Sequence, residues 1–258
     1  MAYRYDADLS FFSEVSSEDF DDLVFCLTHD KDGAPRLTEE LTQTESYKNH
    51  FPQHSMYWQE VAAELQCFGA HTIATFFRGG KGVVYKEVLI DVCGKLKVNF
   101  NPNSSAERIE QQLLMKILED SLEAMSPDEL KELAESIGMD HAKDITSYSK
   151  EMLLGGFQAI FRAGGFKSYQ LTLIIANTVL KALIGRGLSL AANATLVRAM
   201  AILSGPIGWA ITGLWTMVDV GGAAYRVTVP AVIQVAVLRQ QLMHNKQVEE
   251  KGSQETMS

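Results

Sequence analysis

An acidic segment near the start of the chain carries the residues whose spacing is most suggestive of chemistry. Counted as an EF-hand calcium loop, residues 28–39 place carboxylates at the third, fifth and twelfth positions: Asp30, Asp32 and Glu39. The pattern is incomplete, because a threonine stands at the first position, a proline stands at the eighth, and no second loop follows. We therefore favour an interhelical turn and keep calcium binding by these three carboxylates as the weaker alternative.

Two histidines and a glycine-rich loop are further candidates for a site. His50 and His54 are four residues apart, but Pro52 between them interrupts a helix, and no neighbouring cysteine or acid completes a tetrahedral metal set. The glycines of the loop at residues 78–82 are closer together than those of a phosphate-binding loop. The serine or threonine that ends such a loop is also missing. The sequence therefore predicts no catalytic residues, no metal site and no cofactor.

The charges divide the chain into two unlike halves. Residues 1–151 contain 28 acidic and 14 basic side chains, whereas residues 152–258 contain 4 acidic and 9 basic ones, which together give the net charge of −9. An acidic first half repels phosphate backbones, so we expect no nucleic acid partner. The basic, apolar second half either suits the anionic cytoplasmic surface of a membrane or pairs with the acidic half across a domain interface.

Cysteine usage and the first residues indicate a cytoplasmic location. Cys26, Cys67 and Cys93 are widely spaced and odd in number, which is typical of reduced cysteines in a cytosolic protein. The first twenty residues contain acids throughout and no apolar run, so no signal peptide is predicted. If the chain reaches the inner membrane, we expect it to do so from the cytoplasm, as a peripheral or partly inserted protein.

Apolar residues recur at helical spacing, and the sequence predicts an all-α, multi-helix bundle. Phe20, Leu23 and Leu27 fall on one helical face, and Ser126-Pro-Asp-Glu is a complete helix start with a cap, a proline and two acids. Further helices are predicted at 54–77, 83–97, 106–124, 168–184 and 231–247, with residues 225–230 extended. We divide the chain into an acidic helical segment, a helical domain, an apolar basic helical domain and a disordered tail: 1–50, 51–151, 152–247 and 248–258.

The most unusual stretch is a run of twenty residues without a charge, 199–218. Ser204, Gly205 and Pro206 interrupt it, so we predict a very apolar C-terminal hairpin of two helices rather than one continuous helix. Each arm of this hairpin, which occupies 187–220, is shorter than the ~20 residues that cross a bilayer upright. The expected membrane or partner contacts are Trp209, Trp215, Ile207, Ile211 and Leu214, and an ion pair is expected between Asp219 and Arg226.

Several segments of the chain resemble a known family, in the same order. They are Tyr5–Leu9, Leu27–Gly33, Glu64–Gly69, Ile109–Leu114, Gly205–Gly208, Gly221–Arg226 and Val227–Gln234. Over most of its length the chain is similar to the YaaW-type bacterial proteins, a family of uncharacterised function that is loosely linked to the ubiquinol–cytochrome c chaperone group. The resemblance implies a helical, protein-binding role near a membrane rather than catalysis, and it supplies no catalytic residues.

Three functional interpretations are consistent with these features. The first is a non-enzymatic, chaperone-like interaction protein that binds another protein or the membrane surface through the 187–220 hairpin. The second is a soluble assembly factor in which the hairpin forms part of the core. The third is an enzyme without a recognisable motif, whose catalytic groups come together from distant residues. A homo-oligomer is compatible with each interpretation.

Overall fold

The computed structural model describes residues 2–69, 82–139, 149–189 and 224–256. The helices in these ranges are α1 (Ser17–Thr28), α2 (Glu45–His50), α3 (Trp58–Gly69), α4 (Tyr85–Lys95), α5 (Ala106–Glu123), α6 (Pro127–Ser136), α7 (Lys150–Ala163), α8 (Gly165–Ile184) and α9 (Tyr225–Thr256). Three short 3-10 helices accompany them: Ala7–Glu14, Leu41–Gln43 and His54–Tyr57. No β-strand occurs in these ranges, and the predicted all-α class is confirmed.

Polar caps set the starts of several helices, as the sequence predicts. The Glu129 amide donates to the Ser126 hydroxyl at 3.3 Å, and the Ser126 amide donates to the Glu129 carboxylate at 2.8 Å, which forms a reciprocal capping box at α6. Ser105 caps α5 by accepting a hydrogen bond from the Arg108 amide. These local bonds explain why the observed bounds of α5 agree closely with the predicted 106–124.

Helix α9 is the centre of the bundle. It packs against α1, α3, α4, α5 and α8, and every residue from 227 to 238 is buried. A helix enclosed on all sides has to be apolar nearly all round, and this stretch is mostly valine, alanine, isoleucine and leucine. After residue 238 the same helix becomes partly and then fully exposed. One helix therefore contributes both the middle of the core and a projecting outer arm.

Two predictions for this helix are wrong. Residues 225–230 are helical rather than extended, because the complete burial of Val227 and Val229 outweighs the strand preference of β-branched residues. Pro230 lies near the start of the helix, where its missing N–H removes one backbone hydrogen bond. Residues 248–256, expected in a disordered tail, continue α9, and several of them are good helix formers.

The predicted division into segments stays a prediction, although side chains from all three helical segments contribute to one hydrophobic core. The apolar hairpin predicted at 187–220 lies almost wholly outside the described residues, apart from residues 187–189, which are not helical. Among the helices that the structure does describe, none combines the length and the apolar character needed to span a membrane.

Candidate functional site

The acidic segment at residues 28–39 forms a turn in which the Asp30 and Glu39 carboxylates accept hydrogen bonds from nearby backbone amides, while Asp32 lies 3.6 Å from the Lys31 amine. Asp30 Oδ1 accepts hydrogen bonds from the amides of Asp32 and Ala34, both at 2.9 Å. Glu39 is turned toward Thr42, whose amide donates to its carboxylate at 2.9 Å. The described ranges contain no group of three or more His, Cys, Asp or Glu side chains arranged to hold a metal ion. Local hydrogen bonds therefore account for the positions of Asp30 and Glu39, and calcium binding by these carboxylates stays the weaker prediction.

His54 is a buried structural residue rather than one of a pair of metal ligands. Its Nε2 lies 2.8 Å from Asp21 Oδ1, and its Nδ1 is bonded to the Tyr57 hydroxyl. Burial lowers the pKa of His54, although the Asp21 carboxylate favours the charged ring. His50 lies at the end of α2, so the two rings do not share one helical face. The contacts of His54 join the 3-10 helix at His54–Tyr57 to α1.

Most residues of the predicted hairpin site lie outside the described ranges. These are the contact residues Trp209, Trp215, Ile207, Ile211 and Leu214, the turn residues Ser204, Gly205 and Pro206, and the acid Asp219. Arg226 is described and is exposed in the first turn of α9. Its pairing with Asp219 stays a prediction. Of the glycine-rich loop at 78–82, the structure describes only its last residue.

The chain reaches the start of the apolar segment through a buried anchor on α1. Asp22 is 4 % exposed, and its carboxylate accepts hydrogen bonds from the Ser189 amide at 2.9 Å and the Ser189 hydroxyl at 3.0 Å. The Arg186 guanidinium lies 3.4 Å from the same carboxylate and packs over the Phe25 ring. Burial raises the pKa of Asp22, although Ser189 and Arg186 favour its ionised form. Asp22 therefore fixes residue 189 to the bundle.

An open groove of ≈ 770 Å³ lies between α5, the projecting part of α9 and the turn that joins α7 to α8. One wall is a row on α5 at helical spacing: Arg108, Gln111, Gln112, Met115, Lys116 and Glu119. The other wall is a row on α9: Gln240, Met243, His244 and Gln247. Phe161, Arg162, Ser168 and Tyr169 complete the lining at the α7–α8 turn. Side chains three and four apart share a helical face, so each wall presents one continuous row.

The groove surface is mixed apolar and polar. Met115 is half-buried, Met243 is 42 % exposed, and one of them stands on each helical wall. The Tyr169 ring stacks on His244 with centroids 5.2 Å apart, and the exposed Phe166 ring packs against the same imidazole at 5.5 Å. Apolar side chains with polar neighbours on two helices are typical of a surface that binds another helix.

Two glycines shape the α7–α8 turn at the end of the groove. Gly164 and Gly165 have φ angles of 73° and 75°, in the left-handed region that residues other than glycine rarely adopt. This tight connection brings the end of α7 and the start of α8 together beside α5. Arg162 and Tyr169 are consequently held near the same end of the groove.

A buried ion pair holds the α9 wall against α5. Arg239 Nε donates to Glu110 Oε2 at 2.9 Å and its Nη2 donates to Oε1 at 3.2 Å, while Nη2 also donates to the Asp8 carbonyl at 2.7 Å. The guanidinium packs over the Phe11 ring at 4.3 Å. Burial raises the pKa of Glu110, and the contacts with Arg239 oppose that rise. The pair lies where α9 leaves the core, so it fixes the separation of the two walls.

Comparisons with known proteins identify the family. A family model described as ubiquinol-cytochrome C chaperone matches residues 53–233, and a domain of unknown function (DUF3944) matches residues 3–37. A UPF0174 protein of Helicobacter pylori strain J99 is 47 % identical over 239 residues, which is 93 % of each chain. The UPF0174 protein YaaW of Escherichia coli K12 is 35 % identical over 244 residues, 92 % of this chain and 95 % of that protein.

The chain belongs to the UPF0174 family. The resemblance that the sequence motifs predict is thereby confirmed. No solved structure matches the chain. Within this family member, the chaperone model covers the α5 wall and the α7–α8 turn, and it ends at residue 233, before the α9 wall begins.

Sequence reasoning missed the groove. The spacing of Gln240, Met243, His244 and Gln247 was the signal, because i, i+3, i+4, i+7 places all four on one face. That face is largely polar, and a polar helical face normally indicates contact with water. Its partner row on α5 is more than 120 residues away in the chain, as the 129-residue separation of Glu110 and Arg239 illustrates. Only the packing of α9 on α5 brings the rows together.

Proposed function

We propose that this UPF0174 protein is a non-enzymatic, chaperone-like protein that holds an exposed helical segment of a partner protein in the groove between α5 and α9. The observation that supports this proposal is the groove itself, whose two helical walls each carry a methionine and enclose an open space of ≈ 770 Å³. The match to a chaperone family model supports a protein partner in general.

The form of the groove supports a helical ligand over an extended one. An extended peptide gains affinity by adding to a free sheet edge, and the described part of the chain has no strand to offer. A helix, in contrast, packs its ridges between the side-chain rows of two neighbouring helices. Methionine adapts its shape to different apolar side chains, which suits a surface that accepts more than one sequence.

The test compares groove methionines with exposed methionines elsewhere. Met115→Glu with Met243→Glu places charge on both walls, whereas Met56→Glu with Met152→Glu changes two methionines that are 60 % and 58 % exposed outside the groove. Light scattering would follow the aggregation of heat-denatured citrate synthase in the presence of each full-length protein. We expect the wild type and the Met56/Met152 variant to suppress aggregation and the groove variant to lose this activity.

Two results would contradict the proposal. Wild-type protein that leaves the aggregation of the client unchanged has no holding activity. Equal activity of the two double variants would place the binding surface elsewhere. Circular dichroism of both variants controls for unfolding, since a folded groove variant is required for the comparison.

A further inference from the structure

The charges at one end of the groove specify the ligand more closely. We infer that the groove selects a helix with acidic residues near one end, which pair with Arg108 and Arg162. This inference rests on the proposed function and adds the charge pattern and direction of the bound segment. It concerns the α7–α8 end of the groove, where both arginines line the opening.

The antiparallel arrangement of α5 and α7 brings the two arginines to the same end. Lys150, at the start of α7, donates to the Glu123 and Met125 carbonyls just after the end of α5, both at 2.8 Å. Since α7 begins beside the end of α5, its last turn lies beside the first turn of α5. Arg162 in the last turn of α7 and Arg108 in the first turn of α5 therefore flank one end.

Both arginines are available for a ligand. Arg108 and Arg162 are exposed, and neither has an ion-pair partner among the residues that the structure describes. Lys116, the next cation along the α5 wall, is already paired with Asp120 four residues later. The amino-terminal end of α5 adds the partial positive charge of its helix dipole beside Arg108. This end of the groove is therefore the better place for carboxylates.

The positions of the acidic side chains in the groove favour one orientation of the bound helix. Glu119 stands at the opposite end of the α5 wall, while Glu107 is the carboxylate that the described lining places beside Arg108. The row from Arg108 to Glu119 spans about 17 Å, or three helical turns. A bound helix with acids at one end and neutral or basic residues at the other fits this sequence of charges in one orientation. The reverse orientation places its acids beside Glu119.

Three synthetic peptides provide the probe. Each is a fluorescein-labelled helix of about 14 residues with leucines at i, i+3, i+4 and i+7, and they carry two glutamates, two glutamines or two lysines in the first turn. Fluorescence anisotropy with the full-length protein should show that the glutamate peptide binds about tenfold more tightly than the glutamine peptide, as expected for two exposed ion pairs. The lysine peptide should bind most weakly.

Matched variants assign that preference to the arginines. Arg108→Gln with Arg162→Gln should remove the difference between the glutamate and glutamine peptides, and Arg108→Glu with Arg162→Glu should reverse the preference in favour of lysine. Lys131→Gln with Lys181→Gln, which changes the same net charge outside the groove, should retain the wild-type order. High salt should reduce the preference in the wild type.

The possible results separate this inference from the proposed function. If the wild type binds all three peptides equally and the Met115/Met243 variant binds none, the groove binds helices but the acidic specificity is wrong. If no peptide binds, but the wild type suppresses aggregation and the Met115/Met243 variant does not, the groove binds a client in a form other than a helix. A dimer in sedimentation that the Arg108→Glu/Arg162→Glu variant converts to monomer would show that a second copy fills the groove, which overturns a separate partner.

Discussion

The enclosed and the projecting parts of α9 use one helix for opposite purposes. From 227 to 238 the helix is buried on every side, and its interactions fix the bundle. From 240 onward it borders a groove and leaves methionine, histidine and glutamine side chains open to a ligand. The comparison shows that a rigid core can extend directly into a binding wall, because the wall inherits its position from the buried part of the same helix.

The largest effect should come from the ion pair at the boundary between these parts. Glu110→Ala leaves the Arg239 guanidinium, 16 % exposed, without its carboxylate, and we expect a loss of about 3–5 kcal/mol in the free energy of unfolding. Urea denaturation followed by circular dichroism measures it. Glu110→Leu with Arg239→Met is the control, because it removes both charges and should recover most of the loss. A loss under about 1 kcal/mol for Glu110→Ala would show that the ion pair contributes no more to stability than a residue of the groove wall.

The enclosed region should also give the protein a dependence on pH through Glu64. This residue of α3 is 2 % exposed and accepts hydrogen bonds from the Glu40 amide. Burial raises the pKa of Glu64 from 4.5 to about 7. The folded state therefore favours the protonated acid, so its stabilisation is complete below pH 4.5 and is lost as the pH rises through 7.

This shift corresponds to about 3 kcal/mol between those limits. The measurement is the free energy of unfolding of wild type and Glu64→Gln from pH 4.5 to 8. We expect the glutamine variant to be less sensitive to pH, because its side-chain carbonyl oxygen can accept the Glu40 hydrogen bond without ionising. Parallel pH profiles for the two proteins would show that Glu64 titrates normally in the folded state.

A smaller effect is expected at the Asp22 anchor, at the edge of the enclosed region. Asp22→Ala leaves the Ser189 amide without its acceptor and removes the contact with Arg186, and we expect a loss of about 2 kcal/mol. Asp22→Asn retains an acceptor and should lose less. Glu18→Ala, at an exposed position on the same helix, tests whether the loss of an acid from α1 alone is responsible. Hydrogen exchange at Leu188 and Ser189 should increase in Asp22→Ala while α9 keeps its protection.

The smallest effect on stability is expected in the groove. Met115→Glu with Met243→Glu should lower the free energy of unfolding by about 1 kcal/mol, since Met243 is 42 % exposed while the half-buried Met115 packs at the edge of the core. Urea denaturation compares this variant with Glu110→Ala. Glu110→Ala should lose the most stability, whereas the methionine variant should lose ligand binding. If the groove variant unfolds as readily as Glu110→Ala, the two methionines belong to the core.

The sequence predicts those parts of this structure that depend on neighbours in the chain. The cap at Ser126, the bounds of α5 and the all-α class follow from local hydrogen bonding and helical periodicity. The helix at 225–230 does not follow, because its β-branched residues prefer a strand until the other helices enclose them. The groove depends on the contact between Glu110 and Arg239, and no local pattern specifies which distant acid an arginine will meet.

The central position of α9 has a consequence for synthesis of the protein. A ribosome produces α1, α3, α4, α5 and α8 before it reaches Tyr225, and all five pack on α9. Until residues 227–238 emerge, these helices have no counterpart for the apolar faces that they turn toward the bundle centre, and exposed apolar faces promote aggregation. Folding of the nascent chain is therefore completed only after translation has passed α9. A message truncated before Tyr225 yields a polypeptide without its central helix, which we expect to be degraded or deposited in inclusion bodies.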